Sequence, residues 1–147
     1  MRIEEYIDVW QTDSKIDGTE LGTESIKIPI IHSKWLRFLT KERQKLKSLH
    51  IKKQQLSRQL SDYYAGDLNN PDDLKVIARE PFMKKVLRSD LPSYIDADTS
   101  MIELNLKIVY QQEVVDVLDE ILKSINNRNW IIRNAVEWHK LTNFSDG

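Results

Sequence analysis

Two long stretches of the chain space their apolar residues at helical intervals, and between them they predict most of the fold. From Ser33 to Gly66, Leu39, Leu46, Lys53 and Leu60 recur every seven residues, as do Trp35, Glu42, Leu49, Leu56 and Tyr63. That recurrence lines them along one seam of a helix. Two of these nine positions are charged, so the seam is coiled-coil-like but imperfect and predicts packing against specific partners. Ser33 is placed as an N-cap and Gly66 as a left-handed stop. The second stretch opens at Ser100, with Glu103 in position to complete a capping box. Its seam is Met101, Leu104, Ile108, Gln111, Val115, Leu118, Leu122 and Ile125, and Leu106, Val109, Val114, Val117 and Ile121 widen the apolar face. A face that wide predicts cover on two sides.

The remaining segments are shorter. Ile3, Tyr6, Ile7 and Trp10 predict an amphipathic helix over 3–12, and the Asp-, Gly- and Thr-rich run 13–25 predicts a loop. Pro29, within the apolar run 26–31, predicts extended backbone, because the residue before proline disfavours the helical region. Residues 1–32 thus read as an extended N-terminal arm, 33–66 as a long helix, 67–99 as a linker with short helices and 100–143 as a C-terminal helical region, in a single domain of 147 residues. Within the linker, Asn69, Asn70 and Pro71 predict a loop and then a short helix from Pro71 or Asp72. Pro81 and Pro92 break the chain around Phe82, Met83, Val86 and Leu87. Asn126 and Asn127 interrupt the second long helix. A last amphipathic helix from Arg128 to about residue 143 is expected to bury Trp130, Ile131, Ala135, Trp138 and Leu141.

Charge changes this picture at one place. The net charge of the chain is −1, yet Lys34 to Arg58 carries nine Lys or Arg and one acid, Glu42. Residues 34–60 sum to +8, against −4 for 1–33, −3 for 61–100 and −2 for 101–147. On a helix that advances about 100° per residue, Lys34, Arg37, Lys41, Lys45 and Lys52 fall within an arc of roughly 80° beside the apolar seam. A solubilising face usually mixes signs; a one-signed stripe suits a polyanion, most plausibly nucleic acid. A solvated helix face is the plain alternative reading.

Composition excludes several classes. Four Gly, four Pro and 31% charged residues are the composition of a mainly α protein. Without cysteine there is no disulfide, thiolate metal site or thiol nucleophile. No apolar run reaches the roughly 20 residues of a membrane span, and the acidic N-terminus lacks a signal-peptide core, so a soluble cytosolic protein is expected. His32, His50 and His139 are far apart. Asp96 and Asp98 precede a predicted helix, where capping explains them. Asp116, Asp119 and Glu120 read as a solvated face. There is no phosphate loop, nucleophile elbow or paired-metal signature, so no enzyme, cofactor or metal is expected. The over-apolar second helix, in a chain with little else to cover it, predicts self-assembly.

A resemblance sharpens these expectations. Met1-Arg2-Ile3-Glu4, Ile16-Asp17, Thr19, Leu21, Glu24 and Ser33-Lys34-Trp35-Leu36 resemble the UvsY recombination mediators of T-even-type phages. Asp62-Tyr63-Tyr64-Ala65-Gly66, Met83-Lys84 with Val86-Leu87, and Asp98-Thr99-Ser100 continue the likeness, without gaps through the first ninety or so residues. The resemblance implies a ring-like homo-oligomer in the cytoplasm of the infected bacterial host. Its implied partners are single-stranded DNA, a phage single-strand-binding protein that coats it, and a RecA-like phage recombinase that the mediator helps to load. The family carries a basic pair just before the paired tyrosines, associated with DNA. The first member falls on Arg58; the second falls on Leu60, which has lost the charge. The helix from Ser100 to Arg128 is longer than the family pattern by about one heptad, which preserves the seam's phase.

The expected nucleic-acid contacts are therefore Lys34, Arg37, Lys41, Lys45, Lys52, Lys53 and Arg58. Tyr63, Tyr64 and Trp35 read as core residues rather than stacking platforms, from their seam positions. The alternative is a helical scaffold or adaptor whose basic stripe docks an acidic protein.

Overall fold

The computed structural model describes every residue except 69, 146 and 147, with the side chains of 144 and 145 also outside the description. Asn69, expected in a loop, is among the residues not described. The elements are α1 (Ile3–Asp13), α2 (Leu21–Tyr64), α3 (Pro71–Ile77), α4 (Leu91–Ala97), α5 (Thr99–Asn126) and α6 (Arg128–Ser145), with a single 3-10 turn at Arg88–Asp90. No strand occurs among the described residues. The chain is mainly α, with two long helices and shorter ones, as the periodicity predicts.

The largest departure lies at the front of α2. The helix runs 44 residues and begins at Leu21, passing through Pro29, so the run 26–31 is helical rather than extended and Ser33 sits inside the helix. Proline there removes one ladder donor, but Ser25, whose carbonyl loses it, is exposed and can turn to water. What overrides the local preference is packing. Glu24, Ile28, Trp35, Leu39 and Glu42 are all buried along one side of the helix, a stripe that only continuous helix through Pro29 can align. Residues 1–32 are accordingly α1, a turn and the first part of α2, with no extended arm.

The chain divides into two compact units, residues 1–44 with 111–147 and residues 45–110, and α2 and α5 each contribute to both. In the first unit Tyr6, Trp10, Trp35 and Phe38 form an aromatic group with ring centres 5.2 to 6.4 Å apart. Trp35 is fully buried and its Nε1 donates to Asp13 Oδ2 at 3.0 Å. The polar members of the two predicted seams meet here. The Gln111 amide donates to Glu42 Oε2 at 2.6 Å and to the Glu42 carbonyl at 2.9 Å, and the Tyr6 hydroxyl donates to Glu42 Oε1 at 2.8 Å. Burial and the adjacent carboxylate push the Tyr6 phenol upward, holding it protonated as the donor. Arg128, at the first position of α6, is also buried; it donates to the carbonyls of Asp13 and Lys15 and pairs with Glu24 at 3.4 Å.

The faces of α6 differ from the expected ones at every position but Ala135. Ile132 is buried and Ala135 and Val136 are half-buried, whereas Trp130, Ile131, Trp138 and Leu141 are exposed. The helix is apolar on both sides, and a hydrophobic pattern alone does not say which side its own chain covers. The exposed four fall within an arc of about 100°.

In the second unit α2 ends as predicted. Gly66 has φ +85°, its N–H reaches the Tyr63 carbonyl, and the Asp67 N–H reaches the Asp62 carbonyl, closing a Schellman motif. Pro71 opens α3, and the Asn70 side chain accepts from the Asp72 N–H. The start of α5 needs a small correction. The helix begins at Thr99, and Asp98 rather than Ser100 is the cap, its Oδ1 accepting the Ser100 N–H at 2.9 Å; the Ser100 hydroxyl accepts from Arg79 instead of closing a box with Glu103.

Candidate nucleic-acid interface

All seven sequence-predicted cations, Lys34, Arg37, Lys41, Lys45, Lys52, Lys53 and Arg58, are exposed on α2. Their surroundings separate them. In the first unit Lys34 Nζ lies 2.7 Å from Asp13 Oδ2 and stands over the Trp35 ring, so it tethers the end of α1 to α2. Arg43, about 180° round the helix from Lys34, pairs with Asp119 at 3.6 Å. Arg37 and Lys41 are exposed and make no ion pair among the described residues.

In the second unit the structure brings Lys53 and Arg58 together and sets Lys52 apart from them. Lys53 and Arg58 border an open groove of about 650 Å³ floored by Gln54, Ser57 and Ser61, with His50 at one end and Ile95 of α4 opposite. The spacing 50, 53, 54, 57, 58, 61 is one face of a helix. Lys45 and Lys52 do not line it, because they sit about 160° and about 180° from Ser61 of its floor on the helical wheel. The groove therefore offers two cations flanking small hydroxyls and an amide, a set that can neutralise phosphate and donate hydrogen bonds to it. Asp62 also borders it, and Arg58 and Asp62 together line a second groove of about 390 Å³ bounded by Asp73, Val76 and Ile77 of α3, so Lys53 is the cation that belongs to the first groove alone.

Leu60 is 1% exposed. The position that carries the family's second basic residue is inside the core here, which explains how this chain accommodates leucine. Tyr63 is buried with its hydroxyl donating to the Glu80 carbonyl at 2.7 Å. Tyr64 donates to Asp98 Oδ2 at 2.6 Å and packs edge-on against Phe82, 4.8 Å between ring centres. Both tyrosines are committed to packing, as their seam positions predict.

Asp98 organises this part of the unit. Arg79 grips its carboxylate with two bonds, Nη1 to Oδ2 at 2.6 Å and Nη2 to Oδ1 at 2.8 Å. Those bonds outweigh burial, and with Tyr64 they hold the Asp98 pKa down at about 2. The same carboxylate and burial raise the Tyr64 phenol. Arg79 also stands over the Tyr63 ring at 5.0 Å. Asp98 is thus structural and Asp96 is exposed, and among the described residues no group of three or more His, Asp or Glu could hold a metal ion. Nor is any helix among them long and apolar enough to cross a membrane.

Sequence reasoning missed further exposed cations: Lys47 on α2, and Lys84, Lys85 and Arg88 in the segment before α4. The second group was hidden because residues 61–100 sum to a negative charge; reading shorter windows would have found it.

The chain is a long-helix, all-α protein that displays cations along one helix and around a hydroxyl-floored groove. The chain belongs to the UvsY family: the family described as "Recombination, repair and ssDNA binding protein UvsY" matches residues 9–144. Crystal structures of the bacteriophage T4 recombination mediator protein UvsY share the fold. One aligns with a TM-score of 0.79 at 22% identity, covering 100% of this chain and 99% of that one. Another gives 0.83 at 20% identity over 96% and 99%. No curated protein sequence matches the chain.

Proposed function

We propose that this protein is a non-catalytic recombination mediator. It binds single-stranded DNA already coated by a phage single-strand-binding protein and promotes loading of a RecA-like recombinase in the cytoplasm of the infected host. The observation that carries the reading is the exposed cation set of α2, in which Lys53 and Arg58 flank the serine-floored groove. The other cations, Arg37 and Lys41 in the first unit and Lys45 and Lys52 in the second, share a separate arc of α2. Cationic side chains from several copies would hold the strand in a shape that favours the recombinase over the coating protein. The exposed Trp130, Ile131, Trp138 and Leu141 stripe of α6 supports assembly of those copies into a ring-like homo-oligomer.

The test is equilibrium binding of a fluorescent single-stranded oligonucleotide, against the matching duplex, over a salt titration. Five phosphate contacts per protomer give a log–log slope of about −3.5, at roughly −0.7 per contact for a single strand. K53A with R58A lowers affinity and shallows the slope more than K45A with K52A. No binding at low salt, with retained salt-sensitive binding to an acidic protein, would replace this reading with the adaptor one.

A further inference from the structure

We infer that the segment Phe82–Arg88 is a second single-strand contact, its cations meeting phosphates and its exposed apolar side chains meeting bases. The inference rests on the single-stranded DNA reading above. Between the end of α3 and Arg88 the chain forms no helix, and among the described residues the backbone groups of 82–86 make no backbone hydrogen bond. The segment is nevertheless pinned. Phe82 packs against Tyr64, Tyr63 and Tyr94 with ring centres 4.8, 5.7 and 6.0 Å away, and Val86 is half-buried. Between these anchors Met83 is 88% exposed, and Leu87 just beyond them is 71% exposed. Two large apolar side chains this exposed on a fixed strap do not contribute to the core of the unit, and such groups suit a surface that has a partner.

Charge selects the partner. Lys84, Lys85 and Arg88 lie on the strap with no acid from Phe82 to Ser89, and Lys85 and Arg88 have no ion pair among the described residues. Lys84 stands 5.4 Å over the Tyr94 ring, and the nearness of that tyrosine favours the charged amine. Cations interleaved with apolar groups and unpaired backbone donors are what a flexible strand requires: charge and N–H groups for phosphates, flat or apolar surface for bases. The strap also continues a surface already described. Ile95 borders the α2 groove and the adjacent Tyr94 lies under Lys84, so neighbouring residues of α4 touch the groove and the strap. A strand leaving Lys53 and Arg58 past Ile95 continues round this short helix to the strap.

The experiment uses the full chain and a fluorescent oligothymidylate over a salt series. K85A with R88A removes no packing contact and is expected to shallow the log–log slope by about 1.4, two contacts at roughly 0.7 each. M83S with L87S is expected to weaken binding at every salt concentration with the slope unchanged. K85R with R88K keeps the wild-type slope if charge is the operative property. Wild-type affinity and slope in K85A with R88A, alongside weakened binding in K53A with R58A, would overturn the strap while leaving the α2 reading intact. Loss of binding to polyglutamate but not to oligothymidylate would overturn it in favour of protein docking. Failure of the wild-type protein to bind the oligonucleotide removes both readings together.

Discussion

The two compact units use the same long helices in opposite ways. In residues 1–44 with 111–147, charged groups are turned inward and bonded: Glu42 to Tyr6 and Gln111, and Arg128 through its two terminal nitrogens to two carbonyls and Glu24. In residues 45–110, the buried charge is confined to Asp98 and its Arg79 clamp, while the cations and several large apolar groups face outward. Ile102, Leu106 and Val109 of α5 are exposed in that unit, whereas Val114, Leu118 and Ile121 of the same helix are buried in the other. One unit spends its sequence on defining the fold and the other on display. The difference teaches where a substitution should be felt in stability and where in binding.

The sharpest way to break the comparison is at Trp35, which is fully buried among Tyr6, Trp10 and Phe38. Trp35→Ala is expected to cost about 3–5 kcal/mol, the range for emptying a large aromatic site. Thermal unfolding checks it; a loss below about 1 kcal/mol would mean that this aromatic group does not anchor the unit.

Next in size is the Glu42 network. Gln111→Leu leaves a buried carboxylate short of a donor and is expected to cost about 2 kcal/mol. Replacing the whole set, with Tyr6→Phe, Glu42→Leu and Gln111→Leu together, should recover most of that loss, because an apolar isostere avoids burying the charge. Denaturant midpoints of the single and triple variants decide it. If the triple variant is the least stable, the network stabilises the fold outright instead of only fixing how α2 meets α5.

These two sites also show what was legible in sequence. The seam positions were readable because burial follows a seven-residue period: of the α2 set, all but Lys53 are buried or half-buried. The two polar seam residues Glu42 and Gln111 were visible, but not that they meet, since pairing across 69 positions is set by three-dimensional register. Helix through Pro29 was unreadable for the opposite reason: the local rule was correct, and the burial of Glu24, Ile28 and Trp35 outweighed it. The candidate site was half legible. Charge counting found the α2 cations, but an ideal wheel grouped Lys45 with Lys52 and could not place Ile95 beside Lys53 and Arg58, because the groove depends on where α4 returns. Leu60 looked like a lost contact and is a core residue.

The display unit should respond to acid before it responds to most substitutions. The Asp98 pKa is about 2 when folded, below the ordinary carboxylate value of 3.8, so its contribution is complete above the ordinary value and is lost as pH falls from about 4 toward 2. The stability at stake is on the order of 2 kcal/mol. Near-ultraviolet circular dichroism of Tyr63, Tyr64 and Tyr94 should follow that loss, and Asp98→Asn should remove the acid limb while lowering stability at neutral pH. A pH profile unchanged by Asp98→Asn would show that another carboxylate controls the acid response.

The smallest effect on folding should come from the exposed stripe of α6, which, with Ile26 and Ile30 of α2, is apolar surface displayed by the inward-turned unit. Trp138 is 66% exposed and Leu141 65%, while Ile132 faces the core. Surface substitutions away from buried contacts usually change stability by no more than about 0.5 kcal/mol, so Trp138→Ser with Leu141→Ser should leave the unfolding midpoint of a dilute sample nearly unchanged. The same pair should lower the mass measured by sedimentation at higher concentration if the proposed assembly buries this face, because removing apolar area weakens association in proportion to that area. If the midpoint falls instead and the mass holds, the stripe is packed within the chain in solution, and the division between a fold-defining unit and a display unit fails at α6.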